Sequence, residues 1–122
     1  MPSKARLETF IRSTFRSVWS LEMLLHLKRE GGFWSAQELV GALRGSHVIV
    51  AQGTEALFAA GLIEIDHDSR ASYHPASSEL GRLMDEAEAF YARSPDAVRR
   101  MIVNAAQGSL AAFAAAFQLR KD

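Results

Sequence analysis

A mainly α-helical domain with one small β-hairpin is the predicted fold class, and three observations predict it. Apolar residues recur at three- and four-residue intervals over most of the chain, which is the period of a helix face. Serines stand ahead of several of these runs, where a hydroxyl can accept from the free amides of a helix start. Strand character is confined to Leu62-Ile63-Glu64-Ile65 and Ala71-Ser72-Tyr73-His74, on either side of the polar turn His67-Asp68-Ser69-Arg70. The 122 residues suit one domain with a single core, and no repeat or linker divides them. Residues 7–76 read as its main body and 77–122 as C-terminal helices.

Each element follows in order. From Leu7 to Glu30, Phe10, Ile11, Thr14, Phe15, Val18, Leu21, Leu24, Leu25 and Leu27 form a helical stripe that Gly31-Gly32 ends. One long helix is expected here, central because its apolar positions become nearly continuous from Leu21 to Leu27. Ser35-Ala36-Gln37-Glu38 is a capping box. The short helix it opens carries Ala36, Leu39, Val40 and Leu43 on one face and ends near Arg44-Gly45. Ser46 caps the next helix at once, so the connection is very tight. That helix runs to about Ala60 with Val50, Thr54, Leu57 and Phe58 inward, and Gly61 closes it. Gly53 inside it costs about 1 kcal/mol relative to Ala, and the sequence offers no account of it beyond a close backbone contact. After the hairpin, Ser77 or Ser78 caps a helix with Leu80, Leu83, Met84, Ala87, Phe90 and Tyr91 on its apolar face. Ser94-Pro95-Asp96 starts another, facing inward with Val98, Met101, Ile102 and Ala105. Gln107-Gly108-Ser109 breaks the run before a last short helix marked by Leu110, Phe113, Ala114 and Phe117.

Composition narrows the function. The absence of Cys excludes disulfides, Cys-ligated zinc, iron–sulfur clusters and thiol nucleophiles. No apolar run reaches the roughly 18–20 residues of a membrane span, and the start lacks the hydrophobic stretch of a signal peptide, so a cytoplasmic protein without a membrane partner is expected. The 14 basic and 14 acidic side chains cancel, but not evenly along the chain. Residues 1–30 hold six basic against three acidic, residues 31–78 two against five, and the rest six of each. There is no glycine-rich phosphate loop, nucleophile elbow or carboxylate pair outside helical periodicity, so no catalysis and no cofactor are expected.

In its order of long helix, short helix, tight turn, helix and hairpin, the chain resembles the winged helix-turn-helix domain of MarR- and ArsR-like transcriptional regulators. Ser35 to Leu43 and Ser46 to Ala60 carry the likeness, with Ala59-Ala60-Gly61-Leu62-Ile63 as the exit into the wing and Tyr73 on the returning strand. With its N-terminal helix and its ending Phe113 to Lys121, it is also similar to short bacterial winged-helix proteins described only as regulators. The resemblance implies a DNA-binding regulator whose second motif helix enters the major groove. On that reading Gln52 reads a base, with Ser46 and His47 beside it. Arg12, Arg16, Arg44 and the wing's Arg70 contact phosphate. It also implies a homodimer through Leu110, Phe113 and Phe117, where the surrounding alanines permit close approach.

This chain departs from the usual reader in one respect. The second motif helix has no Lys or Arg, and Arg70 is flanked by Asp66 and Asp68. DNA readers usually offer several cations to phosphate. The alternative is therefore a protein-interaction module that uses the same face, with Val48, Ile49 and Ala51 as its apolar centre. The four histidines lack the spacing of a metal site and read as exposed turn residues, except His26, which reads as partly buried and hydrogen-bonded. Asp85, Glu86 and Glu88 read as a solvated helix face. Trp19 and Trp34 are candidates to line one pocket between the first helix and the wing.

Overall fold

A computed structural model of the chain describes residues 4–106. Its order is α1 (Lys4–Thr14), α2 (Val18–Glu30), α3 (Ala36–Leu43), α4 (His47–Ala59), β1 (Ile63–Ile65), β2 (Ala71–Tyr73) and α5 (Ser78–Arg93), followed by a helix α6 over 95–106. The mainly helical class with one two-stranded antiparallel sheet is as expected. The expected last helix with Leu110, Phe113 and Phe117 lies outside the described residues.

The single long N-terminal helix is corrected to two. Ser17 takes an extended conformation, its hydroxyl accepts from the Ser20 amide, and the Ser20 side chain returns to the Ser17 backbone. This reciprocal cap starts α2 afresh, while Phe15 in the break is buried and stacks edge-on against Phe10. Apolar periodicity runs through the break, so only the local cap betrays it.

The expected caps further along are present. The Ser35 hydroxyl accepts from the Glu38 amide and the Glu38 carboxylate accepts from the Ser35 amide, closing the box at the start of α3. Leu39 is buried and Val40 and Leu43 pack partly against the core, but Ala36 is exposed, because a helix this short turns only one edge inward. Arg44 ends α3 in the left-handed conformation at φ 55°, and Ser46 caps α4 through the Ile49 amide. Two helices thus meet across a turn of three residues.

β1 and β2 pair in register Ile63↔Tyr73, Glu64↔Ser72 and Ile65↔Ala71. Trp34, between α2 and α3, adds a further rung: its amide donates to the Ala71 carbonyl and the Ala71 amide returns to the Trp34 carbonyl, both at 2.8 Å. The hairpin is thereby tied to the loop that precedes α3. Gly61, at φ 77°, makes the exit from α4, and its carbonyl accepts from the Ala76 amide on the far side of the hairpin.

Helix α2 is the centre of the molecule. Met23, Leu24, Leu25 and Leu27 are wholly buried, and Leu57, Leu62 and Met84 reach them from α4, the hairpin and α5. Ser77 is the cap of α5, which presents Leu83, Met84, Ala87 and Tyr91 to the core as the periodicity predicts. Val98, Met101 and Ile102 of α6 are buried too. The acidic run on α5 is not simply a solvated face: Lys28 Nζ lies 2.6 Å from Glu88 and 3.1 Å from Asp85, and Arg29 Nε 3.0 Å from Glu88. Arg6 pairs with Glu79, and the Tyr91 hydroxyl donates to Glu22. Partners some 60 residues apart in sequence are joined in this way, which periodicity cannot foresee.

Candidate functional site

Helix α4 has two faces of different fate. Its inward face is Val50, Gly53 and Leu57, all buried. Gly53 has a steric reason: a β-carbon there would lie 2.7 Å from Met23 Cε, so its absence lets α4 settle on α2. His47, Val48, Ala51, Gln52, Glu55, Phe58 and Ala59 are exposed. At 100° per residue these seven fall on one continuous stripe.

That stripe is largely apolar and carries no Lys or Arg. Val48 is 64% exposed and Phe58 56% exposed, the latter a correction to its expected inward position. Phe58 follows Leu57, and one step turns a side chain by 100°, so α2 can receive Leu57 but not both. Thr54 is half-buried, its hydroxyl donating to the Val50 carbonyl. Of the apolar trio proposed for a protein contact, Val48 and Ala51 are exposed, whereas Ile49 is half-buried toward α2.

Arg16 and Arg44 stand beside the stripe rather than on it. Arg12, Arg16 and Arg44 are exposed and have no ion-pair partner among the described residues. Arg70 is held: its Nε lies 3.0 Å from Asp66, its terminal nitrogen 3.6 Å from Asp68, and its guanidinium 5.9 Å from the centre of the Phe33 ring. The Asp66 carboxylate also accepts from the backbone amides of Arg70 and Asp68, and the Arg70 amide foremost lowers its pKa below the ordinary value. The turn is locked by its own carboxylate. Ser46 is committed to the cap of α4, while His47 and Gln52 are exposed.

Hollows flank α4 on both sides. Toward α2, Arg16, Trp19, Gln52 and Ala56 border a cleft of about 510 Å³. Toward the hairpin, Trp34, Leu39, Phe58 and Ile65 border a groove of about 320 Å³. The two tryptophans therefore do not share a pocket, because α4 stands between them. Trp19 packs beside Gly45 in the tight turn, and Trp34 donates its indole N–H to the Gly31 carbonyl at 2.8 Å. His26 lies edge-on to Trp34 with ring centres 4.5 Å apart. Its buried Nε2 has no hydrogen-bond partner among the described residues, which corrects the expectation of a hydrogen-bonded ring. His47, His67 and His74 are exposed.

Among the described residues, no group of three or more His, Asp or Glu side chains could hold a metal ion, and no helix is long and apolar enough to cross a membrane. Trp34 does line a groove toward the hairpin, though without Trp19, whereas sequence reasoning missed Phe58 and Glu38 as parts of this region. Glu38 was seen only as a cap, yet it also lies in the field of Arg70, a smaller influence than the Ser35 amide that chiefly lowers its pKa. No protein-family model, curated protein or solved structure matches the chain.

Proposed function

We propose that the protein is a regulator of the winged helix-turn-helix type and that the exposed face of α4 docks onto a partner protein. The order of elements supports the type: a central helix, a short extended rung at Trp34, two helices across a tight turn, then a hairpin paired back onto that rung. One observation carries the choice of partner. The outward stripe of α4 exposes Val48, Ala51 and Phe58 with no Lys or Arg among them, and the only arginine of the hairpin is held by Asp66 and Asp68. An apolar centre suits the core of a protein interface, whereas a phosphate backbone calls for several free cations.

Duplex DNA is the second reading, and a specific observation favours it. Arg12, Arg16 and Arg44 are exposed without ion-pair partners among the described residues, and Arg16 and Arg44 border α4. A mobility-shift series with random duplex at low and moderate salt separates the two. No shift at low salt is expected. A shift that disappears in Gln52→Ala and Arg16→Ala establishes the DNA reading instead. A partner identified by affinity capture and then purified is expected to bind wild type at high salt and to lose binding to Val48→Asp.

A further inference from the structure

We infer that the groove between α4 and the hairpin receives an apolar anchor residue from a basic, amphipathic segment of a partner protein. This rests on the reading of α4 as a protein-docking face and adds the chemistry of what docks. The floor of the groove is apolar and buried: Leu39, Val50 and Ala71 are at most 2% exposed. Its walls are Trp34, Ile65 and Phe58, and Phe58 leaves more than half of its surface to solvent. At about 320 Å³ it lies at the small end of ligand pockets, which run from about 300 to 1,000 Å³. That is room for one or two side chains, as in the laying of an amphipathic helix into a groove.

Charge selects the partner. Glu55 lines the groove, Asp66 and Asp68 gather on Arg70 at the hairpin turn that contributes Ser69 to the lining, and Glu38 lies within the field of that same Arg70. Among the described residues the one Lys or Arg paired with these carboxylates is Arg70, bonded to Asp66 and within 3.6 Å of Asp68, with the His67 ring also 3.6 Å from Asp68. An acidic segment or a phosphate backbone would meet net repulsion here. Lysines or arginines flanking an apolar anchor would meet unbalanced carboxylates and gain in both on-rate and register.

Three labelled amphipathic peptides test this on the full chain by fluorescence anisotropy. One has a Leu or Phe anchor with Lys/Arg flanks, the second the same anchor with Glu flanks, and the third Lys/Arg flanks with Ala for the anchor. The Trp19→Phe variant leaves Trp34 as the only tryptophan and reports occupancy of the groove directly. The basic anchored peptide is expected to bind at least about tenfold more tightly than either other, a difference of about 1.4 kcal/mol. It is expected to shift Trp34 emission, and its binding should vanish in Phe58→Asp. In Glu55→Lys/Asp68→Lys, whose side chains are at the surface, the preference should invert toward the acidic peptide.

Absence of binding by the basic anchored peptide, or binding indifferent to Phe58→Asp, overturns the inference. An acidic anchored peptide that binds best and is lost in Phe58→Asp also overturns it, while leaving α4 a protein-docking face. Random duplex that binds through Arg16 and Arg44, with no peptide bound, overturns the docking face as well.

Discussion

The frame around α2 and the outer face of α4 contain similar residues finished in opposite ways. At the C-terminal end of α2, Lys28 and Arg29 both reach carboxylates on α5, and the apolar side chains beneath them are sealed. Around α4, Arg16 and Arg44 face water, and Val48 and Phe58 lie open. The difference teaches where the chain's stabilising interactions are complete within itself. Among the described residues the frame is closed, whereas the face of α4 leaves apolar area open, whose burial against the proposed partner is worth roughly 25 cal/mol per Å².

The sharpest break of this comparison uses two adjacent residues. Leu57→Ala is expected to cost about 2–5 kcal/mol in denaturant unfolding, since Leu57 is wholly buried. Phe58→Ala is expected to stay within about 0.5 kcal/mol, as surface changes usually do. An equal cost at both would place Phe58 in the core and remove the open face. Next in size is Gly53→Val, which forces a branched side chain against Met23 and should cost about 1–3 kcal/mol. Gly53→Ala should be milder, because a helix gains about 1 kcal/mol from Ala over Gly and Met23 meets it with the tip of a flexible chain. A stabilised Gly53→Val would show that α4 does not rest on α2 at this point.

The ion-paired frame predicts a pH dependence. The Lys28 ammonium foremost lowers the pKa of Glu88 below its ordinary value, opposed by partial burial. Its contribution is therefore fully present above the unfolded value of 4.5 and is lost as pH falls through the lower folded value. Lys28 is raised above 10.5, chiefly by its hydrogen bond to Glu88, so its contribution is fully present below 10.5 and lost as pH rises through the folded value. Glu88→Gln is expected to lower stability by about 1 kcal/mol at neutral pH and to flatten the acid limb of a thermal melt series. An unchanged acid limb would mean that the pair adds nothing. The smallest expected effect is that of Arg16→Ala and Arg44→Ala, each within about 0.5 kcal/mol in melts. A larger loss would show that these arginines belong to the frame.

Much of the architecture was legible because it is written locally. Ser35 with Glu38, Ser46 and Ser77 mark their helix starts through bonds to residues three positions away. The break at Ser17 was hidden by a Ser where a capping box usually has Glu or Gln, and by Phe15 and Val18 continuing the stripe. The candidate site was half legible. The lack of cations on α4 and the flanking of Arg70 by aspartates are plain in sequence, but the groove is not, because its walls come from α3, α4 and both strands. Phe58 was misread since two consecutive apolar residues leave the inward one undetermined.

By itself the sequence determined the helix caps at Ser35, Ser46 and Ser77, the hairpin and the uneven division of 14 charges of each sign. These depend on neighbours within a few residues or on counting alone. Only the tertiary structure decided that Lys28 meets Glu88, that Trp34 pairs with Ala71, and that Phe58 is left in solvent. The physical reason is distance along the chain. Hydrogen bonds that close a helix turn act between residues fixed near one another, whereas ion pairs and grooves form between segments that only the packing around α2 brings together.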